Sequence, residues 1–115
     1  MRLYGMILAL ALASPALGQD DPLATFQEDV RIMGLASNLG TLIGSELFCG
    51  LTFDQSAIAA WIAANVPADR MDFTGTLRLM MMGEAGNQAG MTASAKTAHC
   101  TAVSQSARHL GFITP

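Results

Sequence analysis

Apolar residues recur along this chain at helical rather than alternating spacing. Leu23, Phe26, Val30 and Met33 fall on one narrow stripe, and Ile32, Leu35, Leu39, Leu42, Ile43 and Leu47 form a second stripe on roughly the opposite side. Gly34, Ser37 and Gly40 lie at the changeover. This pattern predicts either one long, kinked helix burying opposite faces along its length or two helices that meet there. Asp21-Pro22 is a helix start, with Asp as the N-cap and Pro at the first helical position, and Glu28 and Asp29 still in the early turns. Cys49-Gly50 ends the run, with glycine as the cap.

Asp54 caps the next predicted helix, which places Ile58, Trp61, Ile62 and Val66 on one side and alanine almost everywhere else. Pro67 stops it. From Ala68 to Ala85 a third helix offers Met71, Leu77, Met80 and Met81 to a core, although Thr74 to Leu79 also reads as a short strand. Gly83, Gly86, Asn87 and Gly90 then loosen the chain. A final helix from about Thr92 to Leu110 closes at Gly111. The expected fold class is all-α, a small helical bundle of four to five helices forming a single domain over residues 19–115.

Residues 1–18 stand apart from that domain. Arg2, an apolar run from Leu3 to Ala13, Pro15 and the small-residue pattern Ala16-Leu17-Gly18 are the three parts of a secretory signal peptide, cleaved after Gly18. The run of about eleven apolar residues is too short to cross a hydrocarbon core that needs roughly twenty. Gln19 stands where a lipoprotein would need cysteine. Ile32 to Ser45 is interrupted by Asn38 and flanked by Arg31 and Glu46, so no membrane span is expected in the mature chain. The expected location is periplasmic or secreted.

Composition narrows the function classes. With 51% hydrophobic and 13% charged residues, 115 residues can bury a core and are not intrinsically disordered. Six basic residues against nine acidic ones are too few and too scattered to follow a run of phosphates, which argues against nucleic acid as a partner.

An export signal places Cys49 and Cys100, the only two cysteines, in an oxidising compartment, where one structural disulfide is the simplest reading. Closing the loop of 50 residues between them stabilises the fold by about 4 kcal/mol in the chain-entropy treatment. A redox pair would need a short C-x-x-C and a lowered thiol pKa.

Chemistry-bearing groups are sparse. No Gly-rich phosphate loop, G-x-S-x-G or H-E-x-x-H occurs, and no catalytic residue is assigned; the chain is read as not an enzyme, with a small secreted enzyme as the alternative from another class. Gly40-Thr-Leu-Ile-Gly44 reads as a site of close helix packing. Met80, Met81 and Met82 point in three directions on a helix and cannot converge on Cu(I), so they are read as core filling or as an apolar binding surface. His99 and His109 lie about 15 Å apart along one helix and cannot share a metal. No metal or cofactor is expected.

A bond between Cys49 and Cys100 would draw Glu46 and His99 into one half-buried neighbourhood. They are a possible pH-sensitive pair, a latch in which an imidazole titrating near physiological pH alters the packing beside the disulfide. The alternative leaves Glu46 reaching the helix end and solvent, with His99 a satisfied core histidine.

With its signal peptide and with Cys49 at one helix end paired to Cys100 inside the last helix, the plan resembles that of the HdeA-type periplasmic acid-stress chaperones. The resemblance implies an exported helical dimer that loosens at low pH and exposes apolar surface to clients. This chain departs from that family in carrying few charges and no lysine-rich C-terminal region. The leading expectation is therefore an exported, non-enzymatic helical protein that binds a protein partner, a client or an apolar ligand, with a periplasmic acid-stress chaperone as the alternative.

Overall fold

The computed structural model describes residues 21–114, and the signal-peptide reading of residues 1–18 falls outside them. Among the described residues there are four α-helices and no strands: α1 (Pro22–Ser45), α2 (Gln55–Asn65), α3 (Phe73–Gln88) and α4 (Ala93–His109). Three of the four starts are fixed by side-chain caps. Asp21 accepts from the Leu23 amide, Asp54 from the Ser56 and Ala57 amides, and Thr92 from the Ala95 amide. Each satisfies N–H groups that a helix start leaves without an internal partner. Thr74 to Leu79 is helical within α3, which continues through Gly83 and Gly86 to Gln88.

The changeover in α1 does not break it. One helix spans both apolar stripes, and only the second is buried: Ile32, Ala36, Leu39 and Leu42 enter the core. Leu23, Phe26, Val30 and Met33, expected to bury as well, are 54–64% exposed. The cause is the register of α3. Arg70, just before α3, pairs with Asp29, whereas Met80 faces Gly40 and Glu84 faces Gly44. The two helices therefore run parallel, and α3 begins too late to cover the first turns of α1. Leu47 lies past the helix end in the turn that follows and is 93% exposed rather than part of the second stripe.

Close approach of α1 and α3 depends on Gly40 and Gly44. A Cβ on Gly40 would lie 2.6 Å from the Met80 Cβ, and one on Gly44 would lie 3.1 Å from the Glu84 Cβ. The G-x-x-x-G spacing thus serves helix packing, as expected. α4 returns antiparallel: Cys49 meets Cys100, Ser45 meets His99, and Asn38 and Thr41 share a groove with Gln105 and Ser106.

Three phenylalanines complete the core from outside the main stripes. Phe53 precedes α2, Phe73 opens α3 and Phe112 follows α4, all buried. Gly111, at φ 80°, adopts the left-handed conformation that turns the chain back after α4. The Phe112 carbonyl then accepts from the Asp54 amide at 2.7 Å, and its ring packs against Phe53 and Trp61. No described helix is long and apolar enough to cross a membrane.

Candidate functional site

Cys49 and Cys100 form a disulfide, with Cα atoms 5.4 Å apart, joining the turn after α1 to the middle of α4. One turn away, α1, α3 and α4 converge on a polar cluster. Ser45 from α1 is completely buried, Gln88 from α3 is buried, and Glu84 and His99 are largely covered. His99 Nε2 lies 2.9 Å from Ser45 Oγ and 3.1 Å from Glu84 Oε1. The Gln88 amide donates to the Gly44 carbonyl, to Ser45 Oγ and to Glu84 Oε1. The cluster is self-contained, and no buried described side-chain nitrogen or oxygen lacks a partner.

The direction of these bonds decides what the cluster can do. Ser45 Oγ donates its proton to the Thr41 carbonyl at 2.6 Å, so it accepts from His99. An ionised Glu84 can only accept, which places a proton on His99 Nε2. In a serine–histidine–acid relay the hydroxyl and the acid occupy opposite ring nitrogens. Here both share Nε2, and the hydroxyl is buried with its proton committed to the backbone. The arrangement locks three helices together rather than activating a nucleophile.

Glu46 and His99 take different partners. Glu46 Oε2 accepts from the Phe53 amide at 2.7 Å, bracing the 46–53 turn. Glu84 supplies the carboxylate beside His99. Sequence reasoning missed Glu84, Ser45 and Gln88. The available signal was Glu84 and Gln88 spaced one turn apart on α3, with Glu84 the sole ionisable residue between Arg78 and Lys96.

The methionine triplet does not form one surface. Met80 and Met81 are half-buried toward Gly40 and Gly44 of α1, while Met82 is 65% exposed. Met71 lies exposed in the turn before α3 rather than in the core. Among the described residues, the longest row of exposed apolar side chains along one helix is instead Leu23, Phe26, Val30 and Met33 of α1. Its footing is held by the Arg70–Asp29 ion pair and by Arg31, which bonds Glu28 and the Asn65 carbonyl at the end of α2. The Arg31 guanidinium holds the Glu28 carboxyl below its usual range.

A groove of about 640 Å³ runs between α1 and α4, with His99 of the polar cluster among its lining residues. Leu42 and Val103 form its buried floor, and His99 and His109 lie toward its two ends. No family model, curated protein or solved structure matches the chain.

Proposed function

We propose that this chain is an exported, non-enzymatic helical bundle that docks a protein partner through the projecting first turns of α1. The observation that carries this reading is the row Leu23, Phe26, Val30 and Met33, four large apolar side chains on one face, each more than half exposed among the described residues. Soluble folds rarely leave such a contiguous row without use, and an amphipathic helix offering anchors at this spacing is a common recognition mode. The disulfide and the signal-like N-terminus support export.

A photo-crosslinking side chain placed at Phe26 tests the docking reading, with one at exposed Thr101 as the control. A discrete adduct formed at position 26 and abolished by Val30→Glu is the expected result. Equal labelling from both positions would remove the reading. Mass spectrometry of the exported protein, with Gln19 as the expected first residue, tests the compartment separately.

Acid-stress chaperoning is the second reading, favoured by the imidazole–carboxylate contact at the junction of three helices. Suppression of client aggregation at low pH, absent at neutral pH, would support it. An enzymatic role draws no support from a buried Ser45 whose proton is held by Thr41.

A further inference from the structure

We propose that the Cys49–Cys100 disulfide is a modification site for a small anionic thiol, which attacks Cys100 and releases Cys49 as a thiolate beside Lys96. The site shares no residue with the partner-docking face of α1.

Access comes first. Both half-cystines are only partly covered, and two shallow recesses border them. One, of about 410 Å³, is lined by Cys49 and Cys100 together with Phe48, Lys96 and Thr97. The other, of about 420 Å³, lies along the exposed face of α4 and is lined by Cys100, Ser104, Gln105 and Arg108, but not by Cys49. A thiolate must reach one sulfur along the line of the bond it breaks. An approach through the α4 recess meets Cys100 with Cys49 on the far side.

Charge selects the thiol. Each recess carries one cation, Lys96 or Arg108, and no carboxylate. Neither cation forms an ion pair among the described residues. Glu46, three residues before Cys49, is bonded to the Phe53 amide, and Glu84 to His99 and Gln88 within the polar cluster. α4 itself contains no acid. In a chain with nine acidic residues against six basic ones, this local positive field favours an anionic thiol over a cationic one.

Lys96 acts at the other end of the bond. It stands one turn before Cys100, and its Nζ lies 4.5 Å from the centre of the ring of Phe48, the residue before Cys49. An ammonium there stabilises the departing thiolate, and a more acidic thiol leaves faster. In the step the incoming thiolate bonds to Cys100 Sγ, the Cys49–Cys100 bond breaks, and its electron pair leaves on Cys49 Sγ. The thiol is the reductant and no other co-reactant enters. The clamp between the turn after α1 and α4 then opens.

The test treats the native, oxidised protein with glutathione, 2-mercaptoethanol or cysteamine (anionic, neutral and cationic) at about pH 7.5, where part of an ordinary thiol is ionised. Samples are alkylated on quenching and mapped by mass spectrometry, and each rate is divided by that of the same thiol with a neutral small-molecule disulfide. The first product should carry glutathione on Cys100 and the alkyl group on Cys49. Glutathione should outpace cysteamine about two- to fivefold at low salt, the scale of one exposed charge contact. Arg108→Gln should abolish that preference, whereas Lys96→Gln should slow all three thiols alike. A first adduct on Cys49, equal rates for the anionic and cationic thiols, indifference to both substitutions, or a bond that reacts only after denaturation would overturn the assignment.

Discussion

His99 Nε2 and Glu84 Oε1 lie 3.1 Å apart across the α3–α4 interface, and through Ser45 and Gln88 that contact reaches the end of α1. Burying four polar side chains is costly unless every one is paired, and here they are. The cluster therefore rewards one mutual placement of three helices and penalises others.

Removing its acceptor tests this. Glu84→Ala removes one acceptor each from the Gln88 amide and the His99 N–H, which keep Gly44 and Ser45 as partners, and should lower stability by about 0.5–1.5 kcal/mol. Glu84→Gln keeps an acceptor oxygen and should cost less. Urea denaturation of both variants checks the order, and equal losses would show that packing rather than hydrogen bonding is what Glu84 supplies.

Acid stability follows from the capping and surface carboxylates. The Ser56 hydroxyl, with the Ala57 and Ser56 amides, holds the Asp54 carboxyl below its usual range, and Arg70 does the same for Asp72. A carboxyl depressed on folding stabilises the protein above its unfolded-state pKa and loses that contribution as pH falls through its folded value. The melting temperature should therefore be flat near neutrality and fall below about pH 4. Asp54→Asn should melt lower at neutral pH and lose less on acidification. An unchanged slope in that variant would remove Asp54 from the acid response.

The disulfide clamps the turn after α1 to α4, bypassing α2 and α3. Removing it should cost about 2–5 kcal/mol, as is typical of small exported domains. The double variant Cys49→Ser/Cys100→Ser, which leaves no free thiol, and the reduced wild type should show the same drop in melting temperature. A stable double variant with an unstable reduced protein would point to a harmful free thiol rather than a lost clamp.

The starts of α1 and α2 and the ends of α2 and α4 were legible because caps and breakers act locally at Asp21-Pro22, Asp54, Pro67 and Gly111; α3 begins at Phe73 rather than Ala68, with no side-chain cap to mark it, and α1 ends at Ser45 rather than Cys49. The Cys49–Cys100 pair was legible because only two cysteines exist. Which stripe of α1 becomes core was not, since both stripes have the same spacing and the choice depends on where α3 starts. Phe112 escaped for a related reason. It follows the last helix and shows no periodicity, yet the Gly111 turn folds it onto Phe53 and Trp61. The polar cluster joins residues 45, 84, 88 and 99, and their common meeting point is set by the α1–α3–α4 register.

The glycines separate packing from propensity. Gly34 and Gly86 sit within α1 and α3 with nothing near the position of an added Cβ. Alanine at either should raise stability by about 0.5–1 kcal/mol through helix propensity and reduced unfolded-state freedom. At Gly40 the same propensity gain is present, but the new methyl would meet the Met80 Cβ at 2.6 Å and the α3 backbone at 3.3 Å. The helices must then separate, at a typical overpacking cost of about 1–3 kcal/mol, so Gly40→Ala should be net destabilising. Because the polar cluster lies one turn farther along the same interface, that separation should also lengthen the Ser45–His99 contact. Thermal melts of Gly34→Ala, Gly86→Ala and Gly40→Ala, read with the His99 side-chain NMR signals, check both parts. A stabilised Gly40→Ala with unmoved His99 signals would mean that α1 and α3 do not approach as closely as their glycines allow.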